Sequence, residues 1–109
     1  MFGIIYRATN LINNKIYIGK TEQELSRRIS NHYGHLKDQT YFHKALAKYN
    51  KEDWKWDIID FADSEEELNE KECYWIKQYN STNEKIGYNL TNGGDSAPLM
   101  TKEDYDRAR

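Results

Sequence analysis

The sequence predicts an α+β fold, a small, mostly antiparallel three-stranded sheet flanked by helices. Three observations predict it. Two short β-like runs at residues 2–9 and 15–20 are joined by an asparagine-rich loop. Two Thr/Ser-x-x-Glu patterns, Thr21-Glu22-Gln23-Glu24 and Ser64-Glu65-Glu66-Glu67, each precede a stretch of helical periodicity. Between the helical stretches, residues 54–62 read as a third, aromatic-rich strand. The order β-β-α-α-β-α puts helices against a sheet too short to bury itself.

The first two strands meet through Asn10, Asn13 and Asn14, which supply turn chemistry. A loop with an even number of residues brings Tyr6 and Tyr17 to one face, with Lys15 and Gly19. An odd loop or a bulge separates the tyrosines. Thr21 to Glu24 then reads as a capping box opening a helix whose apolar stripe is Leu25, Ile29 and Leu36. Arg28 and His32 fall on or beside that stripe, one turn apart. Two readings stand for the pair: a snorkelling arginine with a core-edge histidine, or two polar groups turned toward a site.

Residues 34–39 read as a break, and 41–50 as a second helix. Phe42, Ala45, Leu46 and Tyr49 form its inward stripe, with His43, Lys44, Lys48 and Lys51 around it. His43 reads as a surface residue or a phosphate contact. Strand three alternates Trp54, Trp56 and Ile58 on one face with Ile59 and Phe61 on the other. Apolar residues on both faces predict cover on both sides for part of its length.

Ser64 to Glu67 caps a third helix with the stripe Leu68, Glu72, Trp75, Ile76 and Tyr79. Glu72 is the misfit, a carboxylate amid an apolar stripe. It needs a cation, a metal or water access, or a helix rotated to leave it at the rim beside a lysine. Cys73 reads as a small hydrophobe. Tyr88 and Leu90 are expected to anchor a brief extended segment, with Asn89 turned the other way. After residue 94 the composition changes. Pro98 and Thr101-Lys102-Glu103-Asp104 suggest a linker and the start of another helix. The chain is therefore expected to comprise a domain over 1–94 and, over 95–109, the lead into a further region.

Composition bounds the class. The 109 residues are 38% hydrophobic and 14% aromatic, with nine Tyr and three Trp contributing much of the buried area. No window holds the ~18 apolar residues of a membrane span, and no signal-peptide pattern opens the chain. One cysteine excludes an internal disulfide and fits a reducing cytoplasm. His32, His35 and His43 lack the cysteine partners of a zinc site. The net charge of −2 hides an asymmetry: residues 1–56 carry ten Lys/Arg against five Asp/Glu, residues 57–109 six against thirteen. Such a division hints at one basic face, although long charged side chains also simply solvate surfaces.

The runs Gly3-Ile4-Ile5-Tyr6 and Tyr17-Ile18-Gly19 resemble the signature of the GIY-YIG nuclease family, with an extra isoleucine in the first motif. The resemblance extends over residues 3–94. Arg28-Ile-Ser-Asn-His32 is similar to the family's Arg-x-x-x-His on the first helix. Glu72-Cys-Tyr-Trp-Ile-Lys77 resembles the segment bearing its metal-binding glutamate, and Gly87-Tyr88-Asn89 the element supplying its active-site asparagine. The resemblance implies hydrolysis of DNA phosphodiesters with one divalent cation, Mg²⁺ or Mn²⁺, held by Glu72, and no small-molecule cofactor. The implied catalytic residues are Tyr6, Tyr17, Arg28, His32, Glu72 and Asn89. Gly19, Lys20, His43 and Lys44 are the candidates for substrate contact. Arg28 would donate to the scissile phosphate, Tyr6 or Tyr17 would orient or deprotonate the water, with Tyr6 the favoured base, His32 would relay the proton, and Asn89 would brace the site. Phage homing endonucleases look closest, with the catalytic module preceding a linker and DNA-binding elements in a bacterial or phage-infected cytoplasm. The bacterial excision-repair nuclease is a more distant relative that shares Lys20. The alternatives are a DNA-binding or regulatory module without turnover, a structure-specific repair nuclease and a protein-interaction domain.

Overall fold

A computed structural model describes residues 1–38 and 40–93. The expected linker over 95–109, with its candidate cap at Thr101, lies outside the described residues. Chain order gives β1 (Gly3–Asn10), β2 (Ile16–Thr21), α1 (Leu25–Gly34), α2 (Tyr41–Lys48), a 3₁₀ turn (Lys51–Asp53), β3 (Trp54–Ala62) and α3 (Glu65–Tyr79). The antiparallel sheet is ordered β2-β1-β3, so β2 and β3 are its edges.

Asparagines build the hairpin as expected. The Asn10 amide donates to Lys15 O, and Asn14 adopts a left-handed φ of 64°. Side-chain oxygens of Asn10 and Asn13 accept the Ile12 and Lys15 amides. Tyr6 pairs with Gly19 and Ala8 with Tyr17. Directly paired residues share a face, so both tyrosines lie on the same side of the sheet. That side is covered by α2, where Phe42, Ala45 and Leu46 pack with Ala8, Trp54 and Tyr88. The other side carries Ile5, Ile16 and Ile18 against Leu68 and Ile76 of α3. Burying each such side chain contributes about 1.5–3 kcal/mol.

Four local expectations are corrected. Thr21 does not cap α1. It is the last residue of β2, paired with Ile4, and its hydroxyl accepts the Gln23 amide. The N-cap is Glu24, without a side-chain cap bond, and the buried residue of α1 is His32 rather than an aliphatic. In β3 the register with β1 shifts between Ile5 and Tyr6, where Ile5 faces Asp60 and Tyr6 faces Ile58. Ile59 is the extra residue of this bulge, and Phe61 returns to the face of Ile58. Ile58 and Phe61 are 46% and 54% exposed, so the cover on this edge strand is incomplete there. Leu90 is exposed and anchors nothing, whereas Tyr88 is buried. Cys73 is half-buried, and its thiol donates to Gly93 O at 3.3 Å.

α3 follows its pattern closely. Ser64 Oγ accepts the Glu67 amide, while the Glu67 carboxylate reaches the Asp63 amide. Asn80 ends the helix at φ 54°, its amide donating to Ile76 and Lys77 carbonyls. The chain then returns to the outer edge of β2, where Ile16 donates to Ile86 O and accepts from the Tyr88 amide. No helix among the described residues is long and apolar enough to cross a membrane.

Candidate active site

Because β2 is an edge strand, its outer rim is open between the α1–α2 layer and α3. A cleft of ≈ 1190 Å³ occupies this gap, and its lining includes Tyr17, Lys20, Arg28, His43, Glu72 and Asn89. Six sequence candidates from five segments of the chain thus meet in one cavity.

Tyr6 stands behind that lining with no exposed surface. Its hydroxyl is 2.6 Å from His32 Nε2 and accepts from Arg28 Nε at 3.3 Å. The i, i+4 spacing on α1 delivers both groups to one oxygen. Burial drives the Tyr6 pKa up to about 12 against the opposing charge of Arg28, with Glu72 adding to the rise. Burial also raises Tyr17, helped by Tyr6 and Glu72. The Tyr17 ring stacks on Phe42 with centroids 3.9 Å apart and lies 6.3 Å from the Tyr6 ring.

His32 is 3% exposed. Burial, followed by the charge of Arg28 and the neighbouring His43 and His35, lowers its pKa to about 3. It is therefore a neutral imidazole near pH 7. Desolvation opposes the charge on Arg28, but Tyr6, Tyr17 and Glu72 outweigh it and its pKa is raised. A stable guanidinium beside a phenol favours the phenolate, and here it works against the larger cost of burial.

Glu72 is 8% exposed and lies on the α3 face turned to the cleft. Asn69, one turn earlier, accepts from Lys20 Nζ across the cleft floor. Gly93 closes over this corner: a Cβ there would sit 2.8 Å from Glu72 Oε1, and its φ of +85° is one that side chains rarely adopt. Asn89 binds the open edge of β2 with both ends of its amide. Its Oδ1 accepts the Ile18 amide at 2.9 Å, and its Nδ2 donates to Ile18 O at 2.8 Å. A side chain here replaces a fourth strand.

Two candidates are placed differently from expectation. Gly19 faces Tyr6 rather than the cleft, and a Cβ at this position would lie 2.3 Å from both Tyr6 Cζ and Oη. Its lack of a side chain makes room for the phenol. Lys44 is exposed on α2 and does not line the cleft. His43, read from sequence as a surface residue or a phosphate contact, lines the cleft and also reaches back to His32, with Nε2 3.1 Å from His32 Nδ1. Thr40 and Asn69 were not singled out in the sequence. The available signals were the Thr-x-x-His spacing at the start of α2 and the position of Asn69 three residues before Glu72.

The donor set fits a hard cation held sparingly. Among the described residues no cluster of three or more His, Cys, Asp or Glu side chains converges. Glu72 is the nearly buried carboxylate of a cleft whose lining also holds exposed Glu22 and Glu65, and such a site suits Mg²⁺ or Mn²⁺, whose remaining positions go to waters and phosphate oxygens. It does not suit zinc, which takes three or four protein ligands.

The family model described as the GIY-YIG catalytic domain matches residues 2–88. A glutamate-to-alanine mutant of the catalytic domain of intron endonuclease I-TevI superposes with a TM-score of 0.71 at 23% identity. The match covers 85% of this chain and 97% of that one. A second structure, of the catalytic domain of homing endonuclease I-TevI, gives 0.68 at 23% identity, covering 82% and 98%. These two likenesses show a shared fold. Comparison with curated protein sequences gives no match. With the family model spanning most of its length, the chain belongs to the GIY-YIG family and carries that family's endonuclease catalytic domain.

Proposed function

We propose that this domain hydrolyses DNA phosphodiester bonds with one divalent cation, Mg²⁺ or Mn²⁺, as the catalytic module of a homing-type endonuclease. The observation that carries the reading is the meeting of Tyr17, Arg28, Glu72 and Asn89 in one cleft, with Tyr6 and His32 hydrogen-bonded behind them. In this reading residues 1–94 are the catalytic module, 95–109 open a linker toward DNA-binding elements, and the setting is cytoplasmic.

Hydrolysis needs an activated water, stabilised charge on the phosphate and help for the leaving oxygen. Glu72 would hold the cation, which when bound supplies Lewis acidity to the phosphate and the leaving oxygen. Arg28 donates to the scissile phosphate, where a fixed guanidinium matches developing charge. Its 3.3 Å contact with Tyr6 is long, so engaging phosphate uncovers the phenol oxygen for the attacking water. Tyr6 then accepts the water proton. A phenol with a pKa near 12 is a poor reservoir of phenolate, so it must give up its own proton as it gains one. The neutral Nε2 of His32, 2.6 Å away, takes that proton. Tyr17 makes ring contacts but no side-chain hydrogen bond among the described residues, which suits orienting water better than relaying a proton. Asn89 keeps β2 and Tyr17 in place through the Ile18 backbone.

The test is single-turnover cleavage of duplex DNA alongside equilibrium binding. Arg28→Ala should slow cleavage by about 10²–10³-fold while changing affinity little. Tyr6→Phe should lose at least ~10²-fold in rate. Retained cleavage in Tyr6→Phe removes the base assignment, and equal losses of rate and affinity in Arg28→Ala make that residue a binding group.

A further inference from the structure

Behind the cleft the hydrogen bonds do not stop at His32. His32 Nδ1 is 3.1 Å from His43 Nε2, and His43 Nδ1 is 2.9 Å from Thr40 Oγ1. Thr40 also caps α2, its oxygen accepting the His43 amide. Four side chains from β1, α1 and the start of α2 therefore form one continuous line from a hydroxyl with no exposed surface to two residues that line the cleft.

Donor and acceptor inventory fixes the direction of that line. Arg28 Nε is a donor only, so at Tyr6 it occupies an oxygen lone pair. The buried phenolic hydrogen needs an acceptor, and His32 Nε2 is the one within reach. His32 is neutral, so its single hydrogen is then on Nδ1 and points at His43 Nε2. His43 must accept there, which places its own hydrogen on Nδ1 and points it at Thr40 Oγ1. Every hydrogen runs outward. In the opposite order, the Tyr6 hydrogen would be buried without an acceptor.

We propose that His43 and Thr40 are positioning residues that extend the Tyr6–His32 pair into a proton wire, carrying the proton of the attacking water from the buried phenol to solvent at the far wall of the cleft. The inference rests on the reading of Tyr6 as base. As the water O–H bond breaks, its proton passes to Tyr6 Oη, the hydroxide adds to phosphorus, and the P–O bond to the leaving oxygen breaks, that oxygen taking a proton from water on the opposite side of the phosphate. The Tyr6 proton passes to His32 Nε2, the His32 Nδ1 proton to His43 Nε2, the His43 Nδ1 proton to Thr40 Oγ1, and the Thr40 hydroxyl proton to water. Each side chain gains one proton and loses one, so none ends charged. After the product leaves, Tyr6 releases its water-derived proton to water in the open cleft. One proton then returns from solvent through Thr40, His43 and His32, which restores the starting tautomers. Such a wire suits a low-dielectric site, where a trapped charge on His32 would be costly.

The test is single-turnover cleavage of duplex DNA by the whole chain, with DNA saturating. His43→Ala should cut the rate by about 10²-fold without a matching loss of affinity, and added imidazole should restore at least ~10-fold of it. Thr40→Val should slow the reaction while Thr40→Ser, which keeps the hydroxyl, restores it. These two variants keep the proposal testable if His43→Ala does not fold. Wild-type rates in His43→Ala, an imidazole-insensitive loss or a loss confined to affinity overturns the wire, as do equal rates in Thr40→Val and Thr40→Ser. Tyr6→Phe separates the two levels. If it is inactive while His43→Ala is fully active, the wire fails alone; if it is fully active, the base assignment fails too.

Discussion

Gly19→Ala probes how tightly the candidate base is held. A Cβ at Gly19 would meet Tyr6 Cζ and Oη at 2.3 Å, where carbon atoms pack best at about 3.5–4.0 Å. The ring must retreat by roughly 1 Å, yet Trp56, Tyr17 and His32 surround it with centroids 6.1, 6.3 and 5.9 Å away. A retreat of that size stretches the 2.6 Å bond to His32 Nε2 beyond hydrogen-bond range. Overpacking costs about 1–3 kcal/mol and the lost buried hydrogen bond about 1 more, so the variant should lose roughly 2–4 kcal/mol. Alanine is otherwise better than glycine in a strand by about 0.5–1 kcal/mol, which makes a loss diagnostic. Urea denaturation gives the stability, and the single-turnover cleavage rate should fall about 10²-fold as the phenol is displaced. Repeating Gly19→Ala in a Tyr6→Leu background, which lacks Cζ and Oη, should abolish most of the stability cost. An equal cost in both backgrounds, or no cost in the wild type, refutes the steric argument.

Three further outcomes follow from the same geometry. The folded-state pKa of His32, about 3, lies below the ordinary 6.5, so unfolding takes up a proton between those values. Its contribution of a few kcal/mol is therefore full above about pH 6.5 and is lost as pH falls toward 3. His32→Gln should flatten urea-derived stability in that window, and an unchanged difference between the two proteins from pH 7 to pH 4 contradicts it. Asn89→Asp puts a carboxylate oxygen against Ile18 O in place of the Nδ2 donor, so it should destabilise more than Asn89→Ala, which itself should cost about 1–3 kcal/mol. Equal melting temperatures for these two variants would remove the edge-pairing role. Gly93→Ala forces a side chain onto Ile76 and Glu72 at a φ of +85°, so the Mn²⁺ concentration for half-maximal cleavage should rise at least several-fold. An unchanged requirement would separate Gly93 from the carboxylate.

The fold was legible where local chemistry and periodicity agreed. The asparagine hairpin and the Ser64 cap each carry their own instructions, whereas the parity of the loop was left open, and only the register pairing Ala8 with Tyr17 puts Tyr6 and Tyr17 on one face. Thr21 misled because a threonine at the end of a strand satisfies the same pattern as a helix cap. Its pairing with Ile4 is a long-range contact that the local pattern does not contain. Phe61 was assigned to the wrong face because the bulge at Ile59 is absent from the alternation of residue types. In the site, Arg28, His32 and Glu72 were visible as polar intrusions on apolar stripes. His43 was named as a substrate contact, but its bond to His32 was not legible, since it joins two helices and depends on how α1 and α2 cross. The steric role of Gly19 was hidden for a similar reason: an absent side chain shows its purpose only when the opposing ring is in place.

The central claim is that Glu72 holds the one cation of a DNA-cleaving site. Its most direct test is nicking of supercoiled plasmid in Mg²⁺ or Mn²⁺ by the wild type and Glu72→Ala, each with an EDTA control. Nicked plasmid is predicted from the wild type with metal alone, and from neither Glu72→Ala nor the EDTA samples. Equal nicking by Glu72→Ala, or wild-type nicking that persists in EDTA, would contradict it.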